Sequence, residues 1–314
     1  MTEALLHAYT PLLLWTGLGL LLCGFLPPSF ARLLGRVLYW VGVPLQILAL
    51  ARHMDFSIQV GLAPGVVMLA LGLACCLAWL GLQANRCLAS ETESLVLYDR
   101  SHRGSFVLAS ILGNTGFVGL AMVPSLVNGA ALTWAVLYSI INNVLGTYGL
   151  GVFIASYYGR PSGGHHWWLQ IRDVLTVPSL WAFVLGISTQ AIVFPDGIEK
   201  GLNIGLAIVI AGALLLMGLR LRQLRGVQSF RVALMPVVLK IVVLPVLIGL
   251  ILTLLGIESQ TRLAVVLMAG MPCAFANLIL AEEYDLDREI VASSVVLSTI
   301  GILGTIPLWL FLFS

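Results

Sequence analysis

The chain has 314 residues and a formal net charge of +2; 60% of its residues are hydrophobic and only 10% are charged. Soluble domains carry about 25% charged residues, so a surface this poor in charge would aggregate in water, and the solvent must be lipid. The small net charge does not suggest nucleic-acid binding. Five cysteines without a CxxC spacing predict neither a disulfide framework nor a metal site, and no cofactor is expected.

Ten apolar segments follow one another along the chain. A membrane-spanning helix needs about 20 predominantly apolar residues, and the candidates are 8–26, 31–50, 62–82, 104–127, 130–157, 173–194, 201–219, 231–255, 262–281 and 289–313. The first is interpreted as a retained span, because Met1-Thr2-Glu3 lacks the basic residues of a signal peptide. Short loops leave no room for a soluble domain. The sequence therefore predicts an all-α polytopic membrane protein with ten transmembrane helices.

Basic residues are distributed unevenly between the two sides of these segments. The odd-numbered loops contain 12 arginines, whereas the opposite side contains only Arg52, Lys200 and Arg262. Cytoplasmic loops are enriched in Lys and Arg, so we expect the odd-numbered loops to be cytoplasmic and both termini to be extracytoplasmic. The membrane would be the plasma membrane, which in a bacterium is the inner one. The 12 residues are Arg32, Arg36, Arg86, Arg100, Arg103, Arg160, Arg172, Arg220, Arg222, Arg225, Arg231 and Arg288.

The chain divides into two halves that begin with the same spacing of proline and glycine. Residues 1–158 and 173–314 each contain five segments, and 159–172 form a predicted cytoplasmic linker. An odd number of spans in each half requires the second half to enter from the opposite side, which makes an inverted repeat, a common plan of secondary transporters. The matching positions are Pro11, Gly19 and Pro27 in the first half, and Pro178, Gly186 and Pro195 in the second.

The fourth segment of each half contains a helix-breaking sequence in the middle of the span. The first has Gly113-Asn114-Thr115-Gly116, and the second has Gly270-Met271-Pro272-Cys273 followed by Asn277. Proline removes a backbone donor, and interrupted backbone at this depth is tolerated only beside protein or a wet cavity. An alternative is that the glycines form a close-packing face and that Pro272 simply kinks its helix. Breaks at equivalent positions favour a binding site at the membrane midplane.

These two segments resemble motifs of a known family. The run Gly113–Gly119 resembles a motif of the auxin efflux carrier family, in its bacterial permease branch, within the bile-acid/sodium symporter-like superfamily. The segment Met271–Ala274 with Asn277, followed by Ala281–Tyr284, resembles the ninth helix of that family. The resemblance implies two inverted five-helix repeats whose broken helices 4 and 9 cross. It also implies a scaffold of helices 1, 2, 6 and 7 and a transport domain of helices 3–5 and 8–10.

The sequence departs from the family pattern at two places. The family usually has a proline where this chain has Ala121, with a proline only at Pro124, so the position of the break in helix 4 stays open. The long cytoplasmic loop of the plant carriers is absent, and auxin is therefore not supported as the substrate.

Candidate substrate-binding residues cluster at the two predicted breaks. The resemblance implies that Asn114 and Asn277 contact substrate, and we place Thr115, Gly113, Gly116, Pro272 and Cys273 beside them. Lys240 is the tenth residue of its segment and would lie near mid-depth, where it could attract an anion, snorkel to the cytoplasm or brace helices. Asn143 and Gln46 are weaker candidates, because helix–helix hydrogen bonding or packing also accounts for them.

The most consistent function is secondary transport of a small organic anion. The resemblance implies export or exchange of organic acids, which we expect to follow elevator-type alternating access, with a homodimer through the scaffold helices as one possible assembly. A membrane-embedded enzyme would need convergent catalytic side chains, and no His, Asp or Glu lies well inside a predicted span. The alternative function is a sodium- or proton-coupled organic anion symporter of the bile-acid transporter type, which normally uses a buried carboxylate.

Overall fold

The computed structural model describes residues 2–53, 61–88, 99–127, 129–159, 167–221 and 228–314. This part of the chain is helical and contains no β-strand, only one isolated β-bridge. Arg160, Arg222 and Arg225, which contribute to the predicted orientation, and residues 160–166 of the predicted linker lie outside the described residues.

The helices are numbered here in chain order. They are α1 (Thr2–Leu22), α2 (Pro28–Val37, Leu38–Gly42 and Val43–Arg52), α3 (Ala63–Leu88), α4a (Arg100–Ile111), α4b (Thr115–Gly119, Leu120–Met122 and Val123–Ser125), α5 (Ala130–Ile141, Asn142–Gly151 and Val152–Gly159), α6a (Trp167–Leu175), α6b (Pro178–Ser188), α7 (Asp196–Leu221), α8 (Gln228–Val238, Leu239–Val243 and Leu244–Leu254), α9a (Ser259–Ala269), α9b (Ala276–Glu283) and α10 (Arg288–Phe313).

Seven helices of the described chain are long and apolar enough to cross a membrane, and an eighth span results if α6a and α6b, which meet at 55°, are counted together. The predicted spans 104–127 and 262–281 are instead divided into the shorter pairs α4a with α4b and α9a with α9b. None of these four pieces exceeds 12 residues, and at 1.5 Å per residue such a piece covers only about half of a 30 Å hydrocarbon core.

Three long helices widen locally into π-helix. These stretches are Leu38–Gly42 in α2, Asn142–Gly151 in α5 and Leu239–Val243 in α8. A π-helical turn inserts a residue into the ladder and reorients the side chains around it, and it often occurs at functional sites. The stretches in α5 and α8 contain Asn143 and Lys240, two of the predicted site residues.

One group of helices is joined by close backbone packing. Helix α1 packs along α7, and α2 packs along α6b and α7. Gly19 and Gly218 meet where α1 and α7 cross, and a Cβ at either position would collide with backbone atoms of the other helix. A Cβ on Gly186 would lie 2.7 Å from Ala51 Cβ and 3.0 Å from the carbonyl oxygen of Leu48, both in α2. Thus the two glycines of the Pro–Gly–Pro spacing, Gly19 and Gly186, both provide the small surface that such contacts require.

Arg52 ties the same group together at one end. Its guanidinium donates to the carbonyl oxygen of Thr189 at 2.6 Å and to Glu199 Oε1 at 2.9 Å. It also lies 3.5 Å from the ring centroid of Phe194. This arginine, one of the few basic residues on its side, is therefore used to join α2 to the end of α6b and the start of α7.

The remaining helices form a second packed group around the short pieces. Helix α4a is surrounded by α3, α5, α8 and α10, while α9a is surrounded by α5, α8 and α10. The segments Gly104–Leu112 and Leu263–Phe275 are buried throughout. Because other helices enclose these short pieces, their ends are kept away from lipid.

We expect Gly19→Val to destabilise the protein strongly, because the new side chain would meet the backbone of α7. Overpacking of a tight core costs about 1–3 kcal/mol, and more when the backbone cannot move. The matched control is Gly17→Val in the same helix, where a Cβ meets no atom within 4 Å. Thermal unfolding of the purified variants measures the difference, and equal melting temperatures for the two would contradict this packing.

Candidate functional site

The two helix breaks touch each other in the interior of the protein. Gly113 and Cys273 form an antiparallel β-bridge. The Asn114 amide donates to the carbonyl oxygen of Pro272 at 2.7 Å, and the Ala274 amide donates to that of Leu112 at 2.9 Å. Residues 112–114 and 270–275 are called the crossover below. Each break thus satisfies backbone groups of the other, as a site away from water requires.

Glycine at position 113 leaves room for the end of the Lys240 side chain at the centre of this crossover. A Cβ on Gly113 would lie 2.9 Å from both Cε and Nζ of Lys240. The lysine therefore fills the space that a side chain at position 113 would occupy. Gly113 thus belongs to the predicted break and also leaves space for the Lys240 side chain.

Side chains bind the carbonyl groups at the C-terminal ends of α4a and α9a. Asn277 Nδ2 donates to the carbonyl oxygen of Leu108 at 3.1 Å, and the thiol of Cys273 donates to that of Ala109 at 3.1 Å. Lys240 Nζ donates to the carbonyl oxygen of Ala269 at 2.5 Å. A helix end leaves its last carbonyls without helical partners, so Cys273 and Lys240 cap the carbonyls of Ala109 and Ala269. Asn277 reinforces the α4a end with a second bond to the Leu108 carbonyl, which also accepts from the Leu112 amide.

Lys240 is placed where a positive charge is stabilised. Its side chain is 2% exposed, and its ammonium group lies at the negative end of the α9a dipole. A lysine at the centre of a membrane costs about 2.5–3.5 kcal/mol on insertion scales, and this contact offsets part of that cost. Lys240 thus connects α8 to the C-terminal end of α9a.

The N-terminal ends of α4b and α9b face a small cavity. Asn114 caps α4b, since its Oδ1 accepts a hydrogen bond from the Phe117 amide at 3.3 Å. The cavity has a volume of about 20 Å³ and is lined by Gly113, Asn114, Gly116 and Phe117 from one break and by Ala274, Phe275 and Ala276 from the other. This space holds about one water molecule. Two helix N-termini give it a positive potential.

The opposite wall of the cavity comes from α2 and α5. Helix α2 contributes Val43 and Gln46, and α5 contributes Asn143, Thr147 and Tyr148. Gln46 Nε2 donates to the carbonyl oxygen of Gly116 at 2.6 Å. A Cβ on Gly116 would lie 2.7 Å from Asn143 Nδ2, so glycine permits this close approach.

Thr147 has an unused hydroxyl group in this cavity. Its Oγ1 is buried and has no hydrogen-bond partner among the described residues. Buried polar atoms are nearly always paired with protein or ordered water. The hydroxyl is therefore available to a water molecule or a ligand in the cavity.

The predicted site residues divide into two sets. Gly113, Asn114, Gly116, Asn143 and Gln46 line the cavity, including the two weaker candidates. Thr115, Pro272, Cys273, Asn277 and Lys240 are not part of its lining; Thr115 Oγ1 accepts from Asn142 Nδ2 at 3.1 Å. Thr147 was not among the predicted residues, although its spacing of four residues from Asn143 places both on one helix face.

A second, larger cavity of about 660 Å³ opens at the N-terminal end of α2, which carries Arg32 and Arg36, and at the C-terminal end of α7, which carries Arg220. It is called the vestibule below. Tyr39 lines the vestibule and Tyr148 lines the small cavity. Their rings contact edge to face with centroids 5.6 Å apart. This aromatic pair separates the two spaces.

Comparison with known proteins supports a transporter. Residues 163–310 match the family model described as membrane transport protein. An uncharacterized transporter of Methanothermobacter thermautotrophicus is 28% identical over 98% of this chain and 97% of its own length. An uncharacterized transporter of Methanocaldococcus jannaschii is 23% identical over 91% of each chain. A probable auxin efflux carrier component of Oryza sativa subsp. japonica is 26% identical over 47% of this chain and 36% of its own.

The second half of the chain is thus similar to the membrane transport protein family, and about half of the chain is similar to an auxin efflux carrier. These similarities agree with the resemblance of the two motifs. Together with the candidate membrane spans of the described chain, the similarity to transporters supports an integral multi-pass membrane transporter. Within the described residues, no group of three or more His, Cys, Asp or Glu side chains could hold a metal ion.

Asn277→Ala should destabilise the fold more than Asn143→Ala. The first substitution removes a buried hydrogen bond to the carbonyl of Leu108, which costs about 0.5–1.5 kcal/mol, although that carbonyl keeps its bond from the Leu112 amide. The second removes a 3.4 Å contact with Ser139 Oγ at the cavity edge and should cost less than half as much. Thermal unfolding in one detergent compares the two. Equal loss in both variants, or none for Asn277→Ala, would contradict the role of Asn277 at the end of α4a.

Proposed function

We propose that this transporter carries a small organic anion and binds its carboxylate in the small cavity beside the crossover. The observation that carries the proposal is that side chains bind the carbonyl ends of the broken helices but leave their amide ends facing the cavity. The carbonyl ends of α4a and α9a are neutralised by Asn277, Cys273 and Lys240, while the amide ends of α4b and α9b face the cavity. The cavity therefore attracts negative charge.

Uncharged donors suit a carboxylate that must bind and leave again. Gln46, Asn114, Asn143 and Thr147 can donate hydrogen bonds without the desolvation cost of a full charge. No Asp or Glu lines the cavity in the described part of the chain. A carboxylate in the cavity would thus meet no like charge.

The lack of an Asp or Glu in the cavity lining of the described chain favours transport without a coupling cation. A proton or sodium relay normally uses a buried acidic residue near the site. Asp173 is buried, but it lies at the vestibule and accepts a hydrogen bond from Ser156 Oγ at 2.8 Å. A sodium- or proton-coupled symporter of the bile-acid type is the competing function.

We further propose an elevator-type movement of α3–α5 and α8–α10 against a scaffold of α1, α2, α6 and α7. The packing of the helices into these two groups supports this division. The cavity lies between them, since Val43 and Gln46 belong to the scaffold and the other lining residues do not. Ligand pockets usually measure about 300–1,000 Å³. A cavity of 20 Å³ must therefore widen, and separating the groups would widen it.

The proposed architecture is two inverted five-helix repeats. Two features support it: the breaks lie at equivalent positions, and the packing of α1 on α7 is matched by that of α6b on α2. In this arrangement the domains are 1–158 and 173–314, joined by the linker 159–172. A homodimer through the scaffold stays a prediction.

The arginine distribution supports a topology with the vestibule facing the cytoplasm and both termini outside. A reporter that is active only in the cytoplasm should be silent when it is fused after Ser314. A strong reporter signal from that fusion would reverse the orientation.

Transport in proteoliposomes tests the function directly. We expect uptake of at least one carboxylate from a panel of radiolabelled succinate, benzoate and indole-3-acetate, driven by membrane potential alone. Asn114→Ala and Asn143→Ala should each slow it by about tenfold, the value of one lost hydrogen bond to a charged group.

Asn203→Ala is the matched control, because this exposed asparagine of α7 lies away from both cavities. Transport that strictly requires a sodium or pH gradient would favour the symporter. Absence of transport for every carboxylate tested, or full activity of both site variants, would reject the proposed substrate site.

A further inference from the structure

The vestibule carries positive charge that the fold does not use. Arg32 and Arg36 line it from α2, and both are exposed. Neither forms a hydrogen bond or an ion pair with another described residue. Residues four apart lie on one helix face, with Cβ atoms about 5–6 Å apart. The two guanidinium groups can therefore reach the same small ligand.

Most of the acidic residues of the vestibule are already engaged. Glu282 pairs with Arg220 at 3.0 Å, and Asp285 lies 4.0 Å from Arg288. Asp173 is paired with Arg172 at 3.4 Å and also bonded to Ser156. Glu283 remains, close enough to interact electrostatically with Tyr39. The vestibule lining itself has four arginines and four acidic residues, but Arg172 pairs with Asp173 from outside the lining. Among these residues, Arg32 and Arg36 face the single carboxylate of Glu283, which is an excess of one positive charge.

The two arginines and part of the small cavity lie along the same helix. In chain order, α2 contains Arg32, Arg36, Tyr39, Val43 and Gln46, with the π-helical stretch Leu38–Gly42 in the middle. The first two line the vestibule, and the last two line the cavity. Arg36 and Gln46 are ten residues apart, or about 15 Å along the axis. Tyr39 and its partner Tyr148 lie between them.

We propose that Arg32 and Arg36 form an outer subsite that binds the carboxylate of the substrate in the vestibule, on the vestibule side of the Tyr39–Tyr148 pair. Guanidinium groups bind carboxylates bidentately, and an open, positively charged mouth raises the local concentration of anions. The subsite rests on the proposed anion transport, since it would serve the same ligand before it reaches the cavity.

Trp40 provides a local probe of this subsite. It lines the vestibule one turn from Arg36 and is 51% exposed. The protein is placed in nanodiscs of neutral phosphatidylcholine. The tryptophan fluorescence of the Trp40→Phe variant is subtracted from that of the native protein, and the difference is the signal of Trp40. We expect iodide to quench the fluorescence of Trp40 and benzoate to protect Trp40 from this quenching. The double variant Arg32→Gln/Arg36→Gln should lower iodide quenching about threefold. Quenching by neutral acrylamide should stay unchanged.

Two controls separate a carboxylate site from general charge. Arg32→Lys/Arg36→Lys keeps the charge but loses the planar fork, so it should keep iodide quenching and weaken protection by benzoate. Arg262→Gln, on α9a and outside the vestibule, should change neither.

Unchanged iodide quenching in Arg32→Gln/Arg36→Gln, or no protection by benzoate in the native protein, would overturn the subsite. Protection lost only when phosphatidylglycerol is added would instead assign the arginines to lipid headgroups and also overturn it. The measurement needs no transport. A failure of carboxylate uptake would reject the proposed function separately, while quenching still decides the subsite.

Discussion

Backbone that leaves the helix inside a membrane protein must find hydrogen-bond partners within the protein. In this chain two such breaks solve the problem together, since Asn114 and Ala274 donate across the crossover to Pro272 and Leu112. The pairing holds four helix ends near one point. The placement of Lys240 beside Gly113 and the enclosure of α4a and α9a by other helices accompany this pairing.

Four helix ends at one point carry two negative and two positive partial charges, which would cancel if all were left bare. The side chains remove this symmetry. Lys240, Asn277 and Cys273 occupy the carbonyl ends, and the amide ends are left beside the cavity. The anion preference proposed for this transporter thus arises from capping on one side of the crossover, without a charged residue in the cavity lining of the described chain.

The sequence predicted the interrupted segments well, because glycine and proline in the middle of an apolar span weaken or break the helix there. It also placed Lys240 at depth. It could not predict which side of the crossover each polar residue would face, since a difference of one residue turns a side chain by about 100°. For this reason Asn277, a predicted site residue, donates to Leu108 and does not line the cavity, while Thr147, which was not predicted, does. The π-helical stretch of α5 further changes the direction of its side chains, and the composition of the sequence does not predict it.

The proposed function depends on a carboxylate that binds between the amide ends of α4b and α9b. A cryo-electron microscopy structure in nanodiscs with the transported carboxylate tests this binding position. We expect ligand density in contact with Asn114, Asn143 and the first turn of α9b, with the crossover hydrogen bonds of Asn114 and Ala274 intact. Ligand density beside Lys240 and the α9a carbonyl end, with the cavity unfilled, would contradict it.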